Sequence, residues 1–227
     1  MMTLLNDFYH LFFPNVCVVC GNSLVQGEEK ICYDCLGDMP LTHTMYHDKN
    51  EVERRFYGKV EIERACSLFR FQKGGSVQRA LHALKYKNQP EVGYVLGQYL
   101  GNELIKSNNY RDVQCITPVP LHWRKEKIRG YNQSYHIALG LSERIGLPIY
   151  DNIIKIKENE TQTKKGVFER WQNTLSVYQV KDVTLFQNNH ILIVDDVLTT
   201  GSTLEACAHS ILQVEGTKVS IATLALA

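Results

Sequence analysis

The sequence lacks several features that define large classes of proteins. No apolar run approaches the ~18 residues that a membrane-spanning helix needs, so no membrane span is expected. The net charge is only +1, so whole-chain charge gives no reason to expect a nucleic acid or a membrane surface as a partner. There is no internal repeat or low-complexity segment. The pattern GxxxxGK[ST] is also absent, which argues against ATP hydrolysis.

The first fifteen residues lack the basic stretch of a secretory signal and contain Asp7. Their spacing predicts a short amphipathic helix that packs on its own protein, and peripheral membrane contact is the alternative. The apolar side of this helix comprises Leu4, Leu5, Phe8, Leu11 and Phe12. Because nothing here directs the chain to an oxidising compartment, we expect a cytoplasmic location.

Four of the seven cysteines form two CxxC pairs, Cys17 with Cys20 and Cys32 with Cys35. Each pair can present two thiolates to one metal ion, and two pairs complete a tetrahedron with Zn–S distances of about 2.3 Å. Four protein ligands leave no position for water, so we predict a structural Zn²⁺ site. Disulfides and CxxC redox chemistry are the alternatives. The other cysteines, Cys66, Cys115 and Cys207, are expected to be core thiols.

Three segments follow one another along the chain. Residues 1–45 form the cysteine module, residues 46–64 are charged and are interpreted as a linker or an edge hairpin, and residues 65–227 alternate between strands and helices. Strands are predicted at 65–71, 113–119, 190–194 and 218–226, and helices at 76–86, 91–106, 131–145 and 203–213. This alternation predicts an α/β fold with a parallel sheet and helices on its faces. The polar segment 149–188 gives no clear pattern.

The segment 190–203, HILIVDDVLTTGST, carries the strongest functional signal. An apolar strand ends in Asp195 and Asp196, at the edge where open α/β sheets bind ligands. The two carboxylates can accept hydrogen bonds from the vicinal hydroxyls of a ribose, and a bound Mg²⁺ would offset their charge.

The residues after the two acids predict a phosphate site. Gly201 permits a positive φ and close backbone approach, and the hydroxyl residues around it add donors. The following helix offers free N–H groups and a partial positive charge at its N-terminus. An N-capped helix after a core strand is the alternative. With the strand and the acids in front, the pattern favours a ribose 5-phosphate site.

This segment resembles the signature of type I phosphoribosyltransferases. The resemblance implies a Rossmann-like parallel sheet and Mg²⁺-dependent transfer of ribose phosphate from phosphoribosyl pyrophosphate to a nucleophile. It assigns the binding of that ligand to a continuous set of residues: Asp195, Asp196, Val197, Leu198, Thr199, Thr200, Gly201, Ser202 and Thr203.

Three further segments narrow the family. They are ALKYK at 83–87, TPVPLH at 117–122 followed by RGYNQS at 129–134, and Thr161-Gln162 with Arg170 and Asn173 downstream. Together with the cysteine module, they are similar to the ComF family of amidophosphoribosyltransferase-like competence proteins over nearly the whole chain. The chain departs from the family pattern at Tyr131 and Tyr178, where Phe is usual, and at Lys155 and Lys157, near which members commonly carry Arg.

The same segments supply further candidate residues. Val119 and Pro120 end a predicted strand at the ligand edge, where a pyrophosphate would lie. Arg129 is assigned a catalytic role beside Asp195 and Asp196, because its planar guanidinium suits bidentate phosphate contact. It belongs to a basic stretch at 122–129, HWRKEKIR, for which a solvated turn is the alternative.

Two lysines at a predicted helix end, Lys85 and Lys87, are also candidates for binding phosphoribosyl pyrophosphate. Stabilisation of the helix dipole is the alternative explanation for both. No strong base is required in such a site, since Mg²⁺ and cationic side chains would stabilise the departing pyrophosphate. His122 is expected to be a surface turn residue.

Three functions are consistent with these features. The first is transfer of ribose 5-phosphate to an unidentified acceptor. The second is a non-catalytic role in DNA uptake during natural transformation, with single-stranded DNA or a competence helicase as partner; Trp123 in the basic stretch can stack on a base. The third is a regulator that senses phosphoribosyl pyrophosphate or another ribose phosphate without turnover.

Overall fold

In the computed structural model, the described part of the chain comprises residues 15–121, 123–156 and 177–227, without the side chains of residues 123–125. Its helices are α1 (Tyr33–Gly37), α2 (Ser76–Tyr86), α3 (Pro90–Ser107), α4 (Trp123–Arg129), α5 (Gln133–Ile145) and α6 (Ser202–Leu212). Its strands are β1 (Arg64–Arg70), β2 (Cys115–Pro118), β3 (Ile153–Lys155), β4 (Tyr178–Val180), β5 (His190–Leu198) and β6 (Lys218–Leu226). Single turns of 3₁₀ helix lie at Thr44–Tyr46, Glu53–Arg55 and Val183–Leu185.

Four strands form a parallel sheet in the order β1-β6-β5-β2. The long strands β5 and β6 lie in the middle, and their residues are buried on both faces, as the continuous apolar runs of a parallel sheet require. A separate antiparallel pair, β3 and β4, lies in the segment where the sequence showed no clear pattern.

The two faces of the sheet are covered by different helices. Leu192 and Val194 of β5 pack in one core cluster with residues of α2, α3 and α5. Ile191 and Ile193, which alternate with them, pack in a second cluster with residues of α6. Since the carboxyl ends of all four strands meet at one edge, the residues that follow β5 and β2 are brought to the same place.

Helices α3 and α5 pack closely through a glycine. A Cβ on Gly140 would overlap the backbone carbonyl of Tyr94, so only glycine allows this approach. Gly146, in a left-handed conformation, then ends α5.

All predicted strands and helices of the domain are present, with shifted ends. Strand β5 continues four residues beyond the predicted Val194, because its pairing with β6 runs on from Asp195 opposite Thr223 to Leu198 opposite Leu226. The two acids therefore belong to the strand itself. Most of the basic stretch at 122–129, for which a solvated turn was the alternative, forms helix α4.

The charged segment 46–64 differs from the expected linker or edge hairpin. Its residues before Arg64, where β1 begins, contain no strand; they form the 3₁₀ turn at Glu53–Arg55 and bury Val52, Phe56 and Val60 in the second core cluster. These three side chains recur at every fourth position, a helical spacing that the surrounding charges conceal.

The remaining cysteines, Cys66, Cys115 and Cys207, are each at most 1% exposed, which confirms them as core thiols. No helix within the described residues is long and apolar enough to cross a membrane.

Candidate functional site

The two acids at the end of β5 are the centre of the candidate site. They point to opposite sides of the strand, as neighbours in a strand do, and Asp195 lies one residue beyond the last β2–β5 pair, Pro118 with Val194. Because β2 ends there, helix α5 reaches the Asp195 carboxylate with its N-terminal turn.

Asp195 is held from the side of α5. The Ser134 hydroxyl donates to its Oδ1 at 2.8 Å, and the Asp196 N–H donates to the same oxygen at 2.9 Å. Burial and the adjacent Asp196 charge raise the pKa of Asp195 to about 7, although these two donors and Lys85 work in the opposite direction. The two adjacent acids are therefore not equivalent.

Asp196 is held from the side of α2. The Lys85 ammonium lies 2.9 Å from each of its two carboxylate oxygens. The Lys85 side chain is 23% exposed and that of Asp196 is 14% exposed, so the pair is largely removed from water. The other predicted lysine, Lys87, is exposed and lines a different depression, beside the cysteine module.

The segment after β5 forms an exposed turn before α6. Gly201 has a φ of +85° and is the N-cap of α6, without a side chain that caps the helix. Thr199 and Thr200 before it are exposed, as are Ser202 and Thr203 after it. The N-terminus of α6 therefore begins at an exposed turn that is rich in hydroxyl residues and follows the two acids in the chain.

Residues outside the predicted set support this turn from behind. Arg55 donates from Nη1 to the Thr199 carbonyl at 3.1 Å, and from Nη2 to the Ala227 carbonyl at 3.3 Å. The Phe56 ring lies 3.3 Å from the position of a Cβ on Gly201. The four-residue spacing of Val52, Phe56 and Val60 was the only signal in the sequence for these contacts.

The RGYNQS segment joins three structural elements to one another. The Tyr131 hydroxyl donates to the Leu84 carbonyl at the end of α2. Asn132 donates to the Val119 carbonyl at 3.0 Å and caps α5 by accepting from the Ser134 N–H. The segment thus fixes the ends of α2 and β2 next to Asp195.

Arg129 lies at the end of α4, beside the helix that carries Lys85. Its Nη1 donates to Gln133 Oε1 at 2.8 Å, and its guanidinium carbon is 5.4 Å from the centre of the Tyr86 ring. These contacts orient the guanidinium, and the hydrogen bond to Gln133 uses only one of its five N–H donors.

A groove of about 490 Å³ opens next to the predicted residue Pro120. Tyr135 of α5, Ile154 and Lys155 line it, so it has both aromatic and cationic walls. The Lys155 ammonium also lies 5.5 Å from the centre of the Tyr178 ring.

Tyr178, on β4, connects the antiparallel pair to the turn before α6. Burial raises the pKa of its hydroxyl, and the neighbouring Thr203 hydroxyl works in the opposite direction. Val119, by contrast, is buried, and its N–H donates to the Val194 carbonyl, so its side chain does not line the exposed turn.

The four cysteines of the module form a second cluster. Their Sγ atoms all lie within 4.8 Å of one another, and those of Cys20 and Cys32 are 3.8 Å apart. Ligands at about 2.3 Å in a tetrahedron are roughly 3.8 Å apart, so the donor set fits Zn²⁺. Burial alone would raise the pKa of Cys17, but the N–H groups of Cys32 and Val19 lower it to about 7.

Some predicted residues lie outside the described part of the chain. These are the N-terminal helix with Leu4, Leu5, Phe8, Leu11 and Phe12, the segment with Lys157, Thr161, Gln162, Arg170 and Asn173, the residue His122, and the side chains of Trp123, Arg124 and Lys125.

Comparisons with known proteins bear on this arrangement. The family model of the phosphoribosyl transferase domain matches residues 131–227. Competence protein F of Haemophilus influenzae is 28% identical over 194 residues, 85% of this chain and 76% of that protein. Competence protein ComFC of Bacillus subtilis is 22% identical over 237 aligned positions, 93% of this chain and 94% of that protein.

Two further similarities cover less of the chain. DNA utilization protein YhgH of Salmonella typhimurium is 29% identical over 138 residues, 59% of this chain and 60% of that protein. Among solved structures, the glutamine phosphoribosylpyrophosphate amidotransferase of B. subtilis superposes with a TM-score of 0.46 at 16% identity, over 63% of this chain and 30% of that one.

The parallel sheet, the acids that end β5 and the matching family model define a phosphoribosyltransferase-type domain, and they confirm the predicted α/β fold class of the type I phosphoribosyltransferases. This domain is preceded by a four-cysteine cluster, and the chain has competence proteins as relatives along most of its length. Along most of its length the chain resembles the competence proteins of the ComF family, and its residues 131–227 match the phosphoribosyl transferase domain.

Proposed function

We propose that this protein binds phosphoribosyl pyrophosphate with Mg²⁺ at the end of β5 and transfers its ribose 5-phosphate to an acceptor. The observation that carries the proposal is the open turn at Gly201, which places the N-terminus of α6 directly beside Asp195 and Asp196. The phosphate of a ribose 5-phosphate needs hydrogen-bond donors, and its two ribose hydroxyls need acceptors close to those donors. A helix N-terminus that follows two acids at a strand end offers both.

Each part of the ligand has a proposed partner in this arrangement. The N–H groups and hydroxyls of residues 199–203 would bind the 5-phosphate, and the acid pair would accept from the ribose hydroxyls. Lys85 and Arg129 would face the pyrophosphate, since both are cations at the same edge of the sheet. Mg²⁺, when bound, would neutralise pyrophosphate charge as it departs.

The test is the melting temperature of the protein with millimolar phosphoribosyl pyrophosphate and MgCl₂. A ligand at a hundredfold excess over its Kd stabilises a fold by about 2.7 kcal/mol, so we expect Tm to rise by several degrees. The variant Asp195→Ala/Asp196→Ala should lose the shift. Glu215→Gln, an exposed acid at the opposite end of the sheet, should keep it.

An unshifted Tm for the wild-type protein would contradict the proposal. That result would favour the second candidate function, which is a non-catalytic role in DNA uptake with single-stranded DNA or a helicase as partner. It is supported by the names of the relatives, which refer to competence and DNA utilization, and by the exposed Lys127 next to Arg129 on α4. Salt-dependent binding of a single-stranded oligonucleotide without a shift by phosphoribosyl pyrophosphate would favour it.

We also propose that Cys17, Cys20, Cys32 and Cys35 bind one structural Zn²⁺ ion. The spacing of their sulfur atoms supports this, and so do the N–H groups that point at Cys17 Sγ.

The proposed location is the cytoplasm. None of the seven cysteines forms a disulfide, which is consistent with a reducing compartment.

A further inference from the structure

The Lys85–Asp196 pair occupies the atoms that a divalent cation would use. Lys85 Nζ is 2.9 Å from both Asp196 oxygens, so no unpaired oxygen of that carboxylate faces the site. On Asp195, Oδ1 already accepts from Ser134 and from the Asp196 N–H, and only Oδ2 is without a hydrogen-bond partner among the described residues.

An ammonium and a divalent cation compete for this carboxylate. Mg²⁺ and Mn²⁺ bind oxygen ligands directly at short distance, and a lysine ammonium in contact with the same oxygens blocks that approach and repels the ion. The pair is largely shielded from water, so this repulsion is screened less than on an exposed surface.

Lys85 has an alternative position available at the same edge. It lies in the last turn of α2, where Tyr86 follows it with an exposed side chain, and the Arg129 guanidinium lies over the Tyr86 ring. A lysine has four rotatable side-chain bonds, so its ammonium can move from Asp196 toward an anion held near Arg129 without movement of the helix.

We infer that Lys85 is an internal counter-ion of the acid pair that keeps divalent cations from Asp196 before ligand binds and exchanges Asp196 for ligand phosphate on binding. This inference rests on the proposed function for the identity of the ligand, but its first half concerns the protein alone. Before ligand binds, Lys85 neutralises Asp196, and the cation enters together with the phosphorylated ligand.

The experiment measures binding of Mn²⁺ alone, by the loss of the electron paramagnetic resonance signal of the free ion. Lys85→Met keeps the length of the side chain and removes the charge, so we expect its Mn²⁺ affinity to exceed that of the wild type at least tenfold. Lys85→Arg should bind Mn²⁺ as weakly as the wild type. Lys73→Met, at an exposed position before α2, is the matched control and should not change.

The increase in Mn²⁺ affinity of Lys85→Met must depend on Asp196. Lys85→Met/Asp196→Asn should therefore lose it, whereas a gain that persists in the double variant, or a Lys85→Met protein that binds Mn²⁺ like the wild type, would overturn the inference. If Lys85→Met does not fold, Lys85→Gln takes its place, with the same expected gain. Since no phosphoribosyl pyrophosphate is present, the result is independent of the Tm shift that tests the proposed function.

Discussion

Two adjacent residues of identical type have different environments near the end of β5. Asp195 is surrounded by neutral donors and by the charge of its neighbour, whereas Asp196 is in direct contact with an ammonium. The environment of Asp195 thus favours its protonated form, and a perturbed carboxyl of this kind is typical of functional sites.

The raised pKa of Asp195 predicts a pH-dependent stability. A carboxyl whose pKa is about 4 when unfolded and about 7 when folded binds its proton more tightly in the folded state. Its contribution to the free energy of unfolding is therefore complete below pH ~4 and is lost as the pH rises through about 7.

Asp195→Asn, which mimics the protonated form, should remove this dependence. Urea unfolding from pH 4.5 to pH 8 should show the wild type losing stability relative to the variant, by on the order of 3 kcal/mol. Parallel profiles for the two proteins would mean that the pKa of Asp195 does not differ between the folded and unfolded states.

At the scale of elements, helix α5 positions the site through its N-terminus and its packing. Asn132 and Ser134 at that end contact β2 and Asp195, and the middle of the helix rests on α3. A shift of α5 relative to α3 would therefore move the Ser134 hydroxyl away from Asp195.

Gly140→Ala tests this packing. The new Cβ would overlap the Tyr94 carbonyl, and overpacking of this kind costs about 1–3 kcal/mol despite the better helix propensity of alanine. Thermal unfolding should show a Tm lowered by several degrees. Gly37→Ala is the matched control, since that helical glycine has no atom within 4 Å of a new Cβ, and its Tm should be unchanged or slightly higher. An equal response of both variants would contradict the close approach.

At the scale of the whole molecule, the cysteine module and the phosphoribosyltransferase-type domain share a core. Val19, Ile31 and Met39 of the module belong to the same cluster as Leu84 of α2 and Leu96 of α3. On the surface, Lys30 donates to Gln89 at 2.9 Å. The module therefore supports the helix end that carries Lys85.

Metal removal should consequently destabilise more than the module. We expect one zinc per chain by elemental analysis, and a lowered Tm of the whole chain after treatment with a strong chelator. Cys20→Ser should lose the zinc, while Cys115→Ser, at a core thiol away from the module, should retain it. A folded, metal-free wild-type protein with unchanged Tm would contradict a structural metal.

Local sequence was sufficient for the strands of the parallel sheet, for the helices that cover it and for the position of the candidate site, but not for β3, β4 or α4. The apolar run of β5, the two acids, Gly201 and the hydroxyls around it are neighbours in the chain, and their backbone preferences determine the strand, the turn and the helix start. The CxxC spacing likewise brings its four thiols together within nineteen residues. The sequence also indicated Lys85 and Lys87 as equal candidates for the ligand site, because both lie at the same predicted helix end.

Only the tertiary structure decided which partners the site residues have. Ser134 is 61 residues from Asp195, Lys85 is 111 residues from Asp196, and Arg55 is 144 residues from Thr199. Such contacts depend on the order of the strands in the sheet and on how closely α3 and α5 pack. Both are properties of the tertiary fold that no local sequence pattern encodes. For this reason the sequence indicated a ribose phosphate site, while the fold assigned its two acids to different partners.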